Sequence, residues 1–240
     1  MKCTSFVLLG IGALGLTGCP NPNTYGTPRT IQKGEIQHTL ALEGINLSST
    51  AANVNSSVTS PMLPSYQLRY GLADTMDFGL RLTNGSMLGG DFKLMLVKGD
   101  LDIAIDPGFQ FAYYSSSAGN TTTGTTTASV ALAYLHAPVM IGYNVSDTFT
   151  VFATPGFTYL AASGSATTDS DSTVQTSGGG ALRFGLGAQV RTSRRFAITP
   201  EITGMRFLNN AEALAVIFGI GLNFGGQAQY GGGAAAPAAQ

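Results

Sequence analysis

The residues that could take part in chemistry are few in this sequence. Among its 240 residues are two histidines, His38 and His136, together with 12 Lys or Arg and 13 Asp or Glu residues. A nucleophilic enzyme needs a nucleophile, a base and a group that orients the base. We therefore expect no enzymatic activity, and we expect His136, which lies beside Pro138 in an apolar segment, to be structural. No group of residues predicts a metal or cofactor site.

Eleven charged residues alternate with apolar residues, which places them together on one face of the segments in which they occur. They are Glu43, Arg69, Asp77, Arg81, Asp91, Lys93, Asp102, Asp106, Arg183, Arg191 and Glu201. Six are acidic and five are basic, so their charges nearly cancel. Buried charges are tolerated when they are paired. If this face is turned inward, we expect an interior network of ion pairs, and the alternative is a polar path for small solutes.

The low charge content limits the class of protein. Only 10% of residues are charged, against roughly 25% in an ordinary soluble domain, and the net charge of -1 gives no reason to expect nucleic acid. After the first 18 residues, no segment approaches the ~20 apolar residues of a membrane-spanning helix. Strands that contact lipid must close into a barrel, because every backbone polar group has to be paired within the protein.

Apolar residues recur at every second position in ten segments, which predicts strands. The segments are 34–47, 63–73, 76–84, 88–98, 101–114, 128–144, 148–162, 178–191, 195–207 and 213–224. The sixth changes parity between Tyr134 and Val139 and contains Pro138, so we expect a bulge or a break there. The pattern predicts an all-β fold, a single closed antiparallel up-and-down β-barrel of about ten strands, with eight as the alternative.

The connections and the aromatic residues indicate which face is outside. Short turns at 73–75, 98–100, 145–147 and 192–194 alternate with longer polar stretches, of which the longest are 48–62, 115–127 and 163–177. Aromatic residues of the apolar face gather near both ends of the segments: Tyr70, Phe78, Tyr143, Phe149, Phe196 and Phe224 at one end, and Tyr66, Phe111, Tyr113, Tyr134, Phe157 and Tyr159 at the other. Two such belts are typical of the lipid-facing side of a membrane barrel.

The N-terminus has the layout of a secretory signal peptide, with Lys2 followed by an apolar stretch over residues 6–16. The next residues, Leu16-Thr17-Gly18-Cys19, resemble the lipobox of bacterial lipoproteins, which implies that Cys19 is acylated. Cys3 lies in the removed part, so the mature chain would have no free thiol. We expect a signal peptide over 1–18, a flexible lipidated linker over 19–33, a barrel domain over 34–224 and a flexible Gly- and Ala-rich tail over 225–240.

The last strand carries a second resemblance. Phe218, Ile220, Leu222 and Phe224, with Gly219 and Gly221 between them, look like the terminal β-signal of outer-membrane proteins. Residues 34–224 are similar in architecture to small bacterial outer-membrane barrels. The resemblance implies a monomer in the outer membrane with both termini periplasmic, which contacts outer-membrane lipid and is recognised by the barrel assembly machinery through its last strand.

Three hypotheses for the function follow. The first is a non-enzymatic outer-membrane barrel with a surface or structural role and minor passage of small solutes. The second is a membrane-tethered periplasmic barrel of the lipocalin type, which binds an apolar ligand inside. The third is a barrel enzyme that acts on lipid or peptide through His136. The first two differ in whether the apolar face is turned outward or inward.

Overall fold

The computed structural model describes residues 21–51, 54–83, 85–120, 124–168, 171–208 and 213–228. These residues form β1 (Ile36–Ala51), β2 (Val54–Ala73), β3 (Met76–Thr83), β4 (Met87–Val97), β5 (Leu101–Ile105), β6 (Gly108–Asn120), β7 (Gly124–Ser146), β8 (Phe149–Thr168), β9 (Asp171–Ser193), β10 (Phe196–Phe207) and β11 (Leu214–Gly225). Within these ranges, no helix is long and apolar enough to cross a membrane.

The strands form one closed antiparallel sheet. β1 pairs with β2 on one side and with β11 on the other, which joins the two ends of the sheet. β5 and β6 share one position in the wall, because each pairs with both β4 and β7. They are separated at Asp106 and Pro107, where the proline has no N–H to donate to a ladder. The predicted barrel is confirmed, with ten wall positions and one extra strand where a position is split.

The two ends of the barrel differ in the length of their strands. At the short-turn end the connections are residues 74–75, 98–100, 147–148 and 194–195. At the opposite end, the extended end, β8 and β9 have 20 and 23 residues whereas β10 has 12. The stretches 48–62, 115–127 and 163–177, which we expected to be loops, are therefore mostly strand. Threonine suits a strand, and pairing satisfies the backbone groups that a loop would leave to water.

Strand β7 continues as one strand through Pro138, without a bulge, but its pairing is broken there as expected: Val139 and Met140 have no partner on β8, and β7 changes its other partner from β6 to β5. Its register with β8 is the same on both sides of Pro138, from Tyr134 opposite Leu160 to Ile141 opposite Ala153. Tyr134 is only 1% exposed and points into the barrel, so its predicted place in an outer aromatic belt is wrong. Apolar residues occupy both faces of β7 near the extended end, and they hide the period of two in the sequence.

The outer face of the wall is apolar. Leu80, Leu186 and Ile202 are each about half exposed, and the other aromatic residues of the two predicted belts are exposed or partly exposed. A soluble barrel of the lipocalin type needs its apolar face inside. That alternative therefore does not match the structure, whereas an apolar outer face is what a lipid bilayer requires.

The apolar clusters inside the barrel lie near the extended end. One cluster joins Tyr134 of β7 to Met205 of β10 and to Ala215 and Ile217 of β11. The Tyr134 hydroxyl lies 3.8 Å from the Met205 sulfur. Because β7 and β10 are separated by β8 and β9 in the wall, this contact crosses the lumen. The rest of the lumen, toward the short-turn end, contains most of the buried charged residues together with a few apolar ones, such as Met95, Met140 and Phe152.

Candidate functional site in the barrel lumen

The N-terminal residues 21–31, called the lumen segment, lie inside the barrel. All of them are buried except Gly26, which is partly exposed. The chain then leaves at the short-turn end, where the N–H of Gly34 donates to the carbonyl of Gly71. The flexible linker predicted over 19–33 is therefore wrong for the described residues 21–31. Their polar composition suggested flexibility, but polar side chains of the wall bind them in the lumen.

Two charged side chains of the wall hold the main chain of the lumen segment. A single carboxylate oxygen of Glu201 accepts hydrogen bonds from the N–H groups of Thr24, at 2.8 Å, and Tyr25, at 2.7 Å. The guanidinium of Arg81 donates to the carbonyls of Asn21, at 2.9 Å, and Asn23, at 2.8 Å. Charge-assisted hydrogen bonds of this kind are roughly twice as strong as neutral ones. They fix the depth of the segment in the lumen.

Further main-chain contacts extend along the whole lumen segment. The amide side chain of Gln110 accepts from the N–H of Asn21 and donates to its carbonyl, at 3.2 and 2.7 Å. Three more residues bind the main chain farther along: Asn223 donates to the carbonyl of Tyr25, Lys93 donates to the carbonyl of Thr27, and Asp77 accepts from the N–H of Ile31. Together with Glu201 and Arg81, these partners stand on five strands, β3, β4, β6, β10 and β11, so the segment is held from several sides.

The most buried cation of the lumen segment is Arg29. Its Nε and Nη2 atoms donate to the two carboxylate oxygens of Asp102, at 2.9 and 2.8 Å, and Nη2 also donates to the carbonyl of Gly99. Asn144 donates to the same carboxylate at 2.7 Å. The two parallel bonds between Arg29 and Asp102 form a bidentate pair, which fixes geometry as well as charge.

Inward-facing glycines make room for the lumen segment. A Cβ atom at Gly221 would lie 2.8 Å from the Tyr25 Cβ, and one at Gly219 would overlap the Tyr25 hydroxyl. A Cβ at Gly142 would lie 2.8 Å from the Pro28 ring, and one at Gly71 would overlap the carbonyl of Gln32. Contacts this close do not occur in proteins, so a side chain at any of these positions would displace the segment.

The eleven charged residues expected inside the barrel are all buried. The structure brings six of them together around Arg69, which forms ion pairs with Asp77 and Asp91 and lies 3.6 Å from Asp106. Arg81 is 3.9 Å from Asp91, and Lys93 is 3.8 Å from Asp77. We call these six residues, Arg69, Asp77, Arg81, Asp91, Lys93 and Asp106, the central network.

The other five of the eleven do not join the central network. Glu43 accepts hydrogen bonds from Asn21 and Ser65, while Glu201 and Asp102 are bound by the lumen segment as described above. Arg191 donates to Gln189 and Thr150. Arg183 donates through Nη2 to Thr154, but its Nε and Nη1 atoms are buried without a hydrogen-bond partner among the described residues.

Sequence reasoning missed the residue that balances the interior charge. The buried set predicted from the strands has six acids and five bases, and Arg29 of the lumen segment is a sixth buried base. The interior of the described residues therefore contains six acidic and six basic side chains. The excess of one acid in the predicted set could have indicated a missing base, because an unpaired charge inside a barrel is strongly disfavoured.

The two histidines lie on opposite faces of the wall. His136 is buried in the lumen, its ring packs edge-on against Tyr134 at 5.4 Å, and its Nδ1 atom has no hydrogen-bond partner among the described residues. His38 is exposed on the outer face, with its Nδ1 atom 2.6 Å from the Tyr66 hydroxyl. The wall separates the two side chains, so they cannot act on one substrate. The described residues contain no cluster of His, Cys, Asp and Glu that could hold a metal ion.

A comparison with known protein families shows the family of the chain. The model of the outer membrane protein beta-barrel domain matches residues 44–224. The chain belongs to this family. Family members are barrels of the bacterial outer membrane, and the match covers the wall from within β1 almost to the end of β11. No curated protein matches the chain.

Solved structures of outer-membrane proteins are similar to the chain at very low sequence identity. Ail, the attachment invasion locus protein of Yersinia pestis, is 10% identical, with a TM-score of 0.43 over 81% of this chain and 99% of its own. The outer membrane protease OmpT from Escherichia coli is 8% identical, with a TM-score of 0.46 over 84% of this chain and 98% of its own. An outer membrane channel from Pseudomonas putida F1 is 10% identical, with a TM-score of 0.46 over 86% and 100%. These similarities do not indicate an activity for this chain.

Proposed function

We propose that the protein is a non-enzymatic outer-membrane barrel with a surface or structural role, whose lumen is closed at rest. The observation that carries this proposal is the lumen segment, which fills the polar part of the lumen and is bound from several strands. The contact between Tyr134 and Met205 forms a second barrier near the extended end. Minor passage of small solutes would require both barriers to move.

Ion conductance tests the closed lumen. The parent protein should show no conductance steps in a planar lipid bilayer, because both barriers block the path. A variant that lacks residues 21–31 and also carries Tyr134→Ala should show them, since the deletion empties the polar lumen and the substitution removes the apolar contact. Each single change should leave one barrier and give little or no conductance. A parent protein that conducts as well as the double variant would contradict a closed resting state.

We also propose that Cys19 is acylated, on the basis of the lipobox resemblance. Asn21 is buried in the lumen, and two residues span at most about 7 Å. Lipid on Cys19 reaches the bilayer only when residues 21–31 have left the lumen, so the closed barrel is the form of the chain without the lipid and acylation marks the open form.

Cys19→Ala should abolish the incorporation of labelled palmitate and should leave the lumen segment in place. Cys3→Ala, which changes the other cysteine of the sequence, is the matched control and should incorporate label normally. Incorporation that is unchanged in Cys19→Ala would refute the lipidation.

We propose, third, that the extended end faces outward and that the short-turn end is periplasmic, together with the end of β11 and the residues 32–35 that lead into β1. Residues 21–31 themselves lie within the lumen. The short connections of the short-turn end and the long hairpins of the extended end support this orientation. An epitope tag inserted at Ser170, between β8 and β9, should bind antibody on intact cells, because connections between strands tolerate insertions. A tag after Ser193, between β9 and β10, should bind only after the outer membrane is permeabilised. The reverse result would invert the topology.

A further inference from the structure

We infer that the barrel lumen is a binding site for a peptide whose main chain bends inside the barrel, and that residues 21–31 are its occupant within the same chain. On this view the lumen segment is a ligand that a separate peptide can replace. The inference rests on the proposed closed barrel. It adds which groups of the lumen recognise the peptide that closes the barrel.

The lumen recognises mainly the peptide backbone. Side chains of the wall form nine hydrogen bonds to main-chain N–H and carbonyl groups between Asn21 and Ile31. The side chains that form them, Arg81, Gln110, Glu201, Asn223, Lys93 and Asp77, are all buried. Main-chain contacts give affinity without dependence on sequence. If the lumen were filled only by side chains of the wall, these groups would bind one another. Instead, they bind the main chain of a segment that is not part of the wall.

Two side chains of the segment add specificity. The ring of Tyr25 lies over Gly219 and Gly221, which leave a space that any larger residue would close. Arg29, four residues later, forms the bidentate pair with Asp102 at 2.9 and 2.8 Å. The lumen therefore favours a peptide that has an aromatic residue and, four positions later, an arginine, with its main chain bent between them.

The lumen segment is attached to the barrel in a way that would allow it to leave. It forms no strand pairing with the wall, and the residues that connect it to β1, from Gln32 to Glu35, are exposed. The residues that it binds also have an alternative partner. Arg183 has two nitrogen atoms without a hydrogen-bond partner among the described residues, and it donates at 3.0 Å to Thr154. The Thr154 hydroxyl and the Glu201 carboxylate both border the space over Gly185. When the segment leaves, Arg183 is available to compensate the Glu201 carboxylate.

The experiment uses the full chain with a specific protease site inserted between Lys33 and Gly34, so that the barrel folds with the segment in place before cleavage. A fluorescent synthetic peptide of residues 20–33 should exchange into the cleaved barrel in detergent micelles, and its fluorescence anisotropy should rise. N-methylation of the peptide at Thr24 and Tyr25 removes the two N–H donors to Glu201 and leaves every side chain unchanged. It should weaken binding by about tenfold or more. N-methylation at Gly26 is the matched control and should have little effect.

The barrel side has its own pair of variants. Gly221→Val should block peptide binding, because its side chain would occupy the space of Tyr25. Gly204→Ala, at a glycine with no neighbour near its Cβ position, should bind like the parent. Equal binding of the peptides methylated at 24 and 25 and at 26, or failure of the peptide to bind any cleaved barrel, would overturn the inference while the closed barrel stands. Conductance of the uncleaved parent would instead contradict the closed barrel itself.

Discussion

Replacing Arg69 with methionine should lower the free energy of unfolding by about 3–5 kcal/mol. Arg69 is 7% exposed and is the cation around which the central network is built, with ion pairs to Asp77 and Asp91 and with Asp106 at 3.6 Å. Methionine keeps an unbranched apolar side chain but leaves these carboxylates buried with less positive charge. Urea unfolding of the protein refolded in lipid vesicles would measure the change.

An exposed cation and a double variant serve as controls for Arg69. Lys98→Met removes an exposed positive charge at the short-turn end and should change stability by about 0.5 kcal/mol or less. Adding Asp91→Asn to Arg69→Met should recover part of the loss, because it removes one of the carboxylates that Arg69 compensates. If Arg69→Met and Lys98→Met unfold at the same urea concentration, the central network does not stabilise the barrel.

The wall of the barrel can be predicted from the sequence because strand alternation is a local property. In β9, Leu182 and Leu186 alternate with Arg183 and Gln189, and the structure exposes the leucines on the outer face and buries the polar residues. A period of two fixes the face of each residue without knowledge of its neighbours in space. In β7 the period of two does not predict the faces, because residues of similar hydropathy lie on both sides of the strand.

The contacts within the lumen could not be predicted in the same way. Arg69 stands on β2 and Asp106 follows β5, so β3 and β4 separate them in the wall. Whether two such side chains meet depends on the stagger of the strands and on the tilt of the barrel. Neither quantity is encoded in a single segment. The sequence therefore predicts the members of an interior charged set, and the fold decides which of them pair.

The lumen segment was missed because its sequence has no period and resembles a linker. Its conformation is set by partners from distant strands, such as Glu201 and Asn223, so local propensity contains little information about it. One signal was present nevertheless. A barrel of about ten strands is normally filled by its own inward side chains, and the inward glycines Gly142, Gly219 and Gly221 leave space that another part of the chain must occupy.

Leu186→Arg should lower the free energy of unfolding in lipid vesicles by about 2–4 kcal/mol, because its side chain would face the middle of the hydrocarbon. Leu186 is 51% exposed on the outer face, and it pairs with Ala153 of β8 and Ile202 of β10. Thr192→Arg is the matched control. Thr192 is exposed on the same face of β9 close to the short-turn end, so an arginine there should cost only about 0–1 kcal/mol.

The comparison of the two arginine variants isolates the depth of the residue in the membrane. Both positions are on one strand, on one face and outside the lumen, so neither substitution touches the lumen segment or the central network. In water, an arginine at either exposed position would have a small effect, because surface substitutions of this kind are usually within about 0.5 kcal/mol. A penalty at Leu186 that is absent at Thr192 therefore requires a hydrocarbon layer around the middle of the barrel. Equal tolerance at the two positions in vesicles would mean that the apolar outer face does not contact lipid.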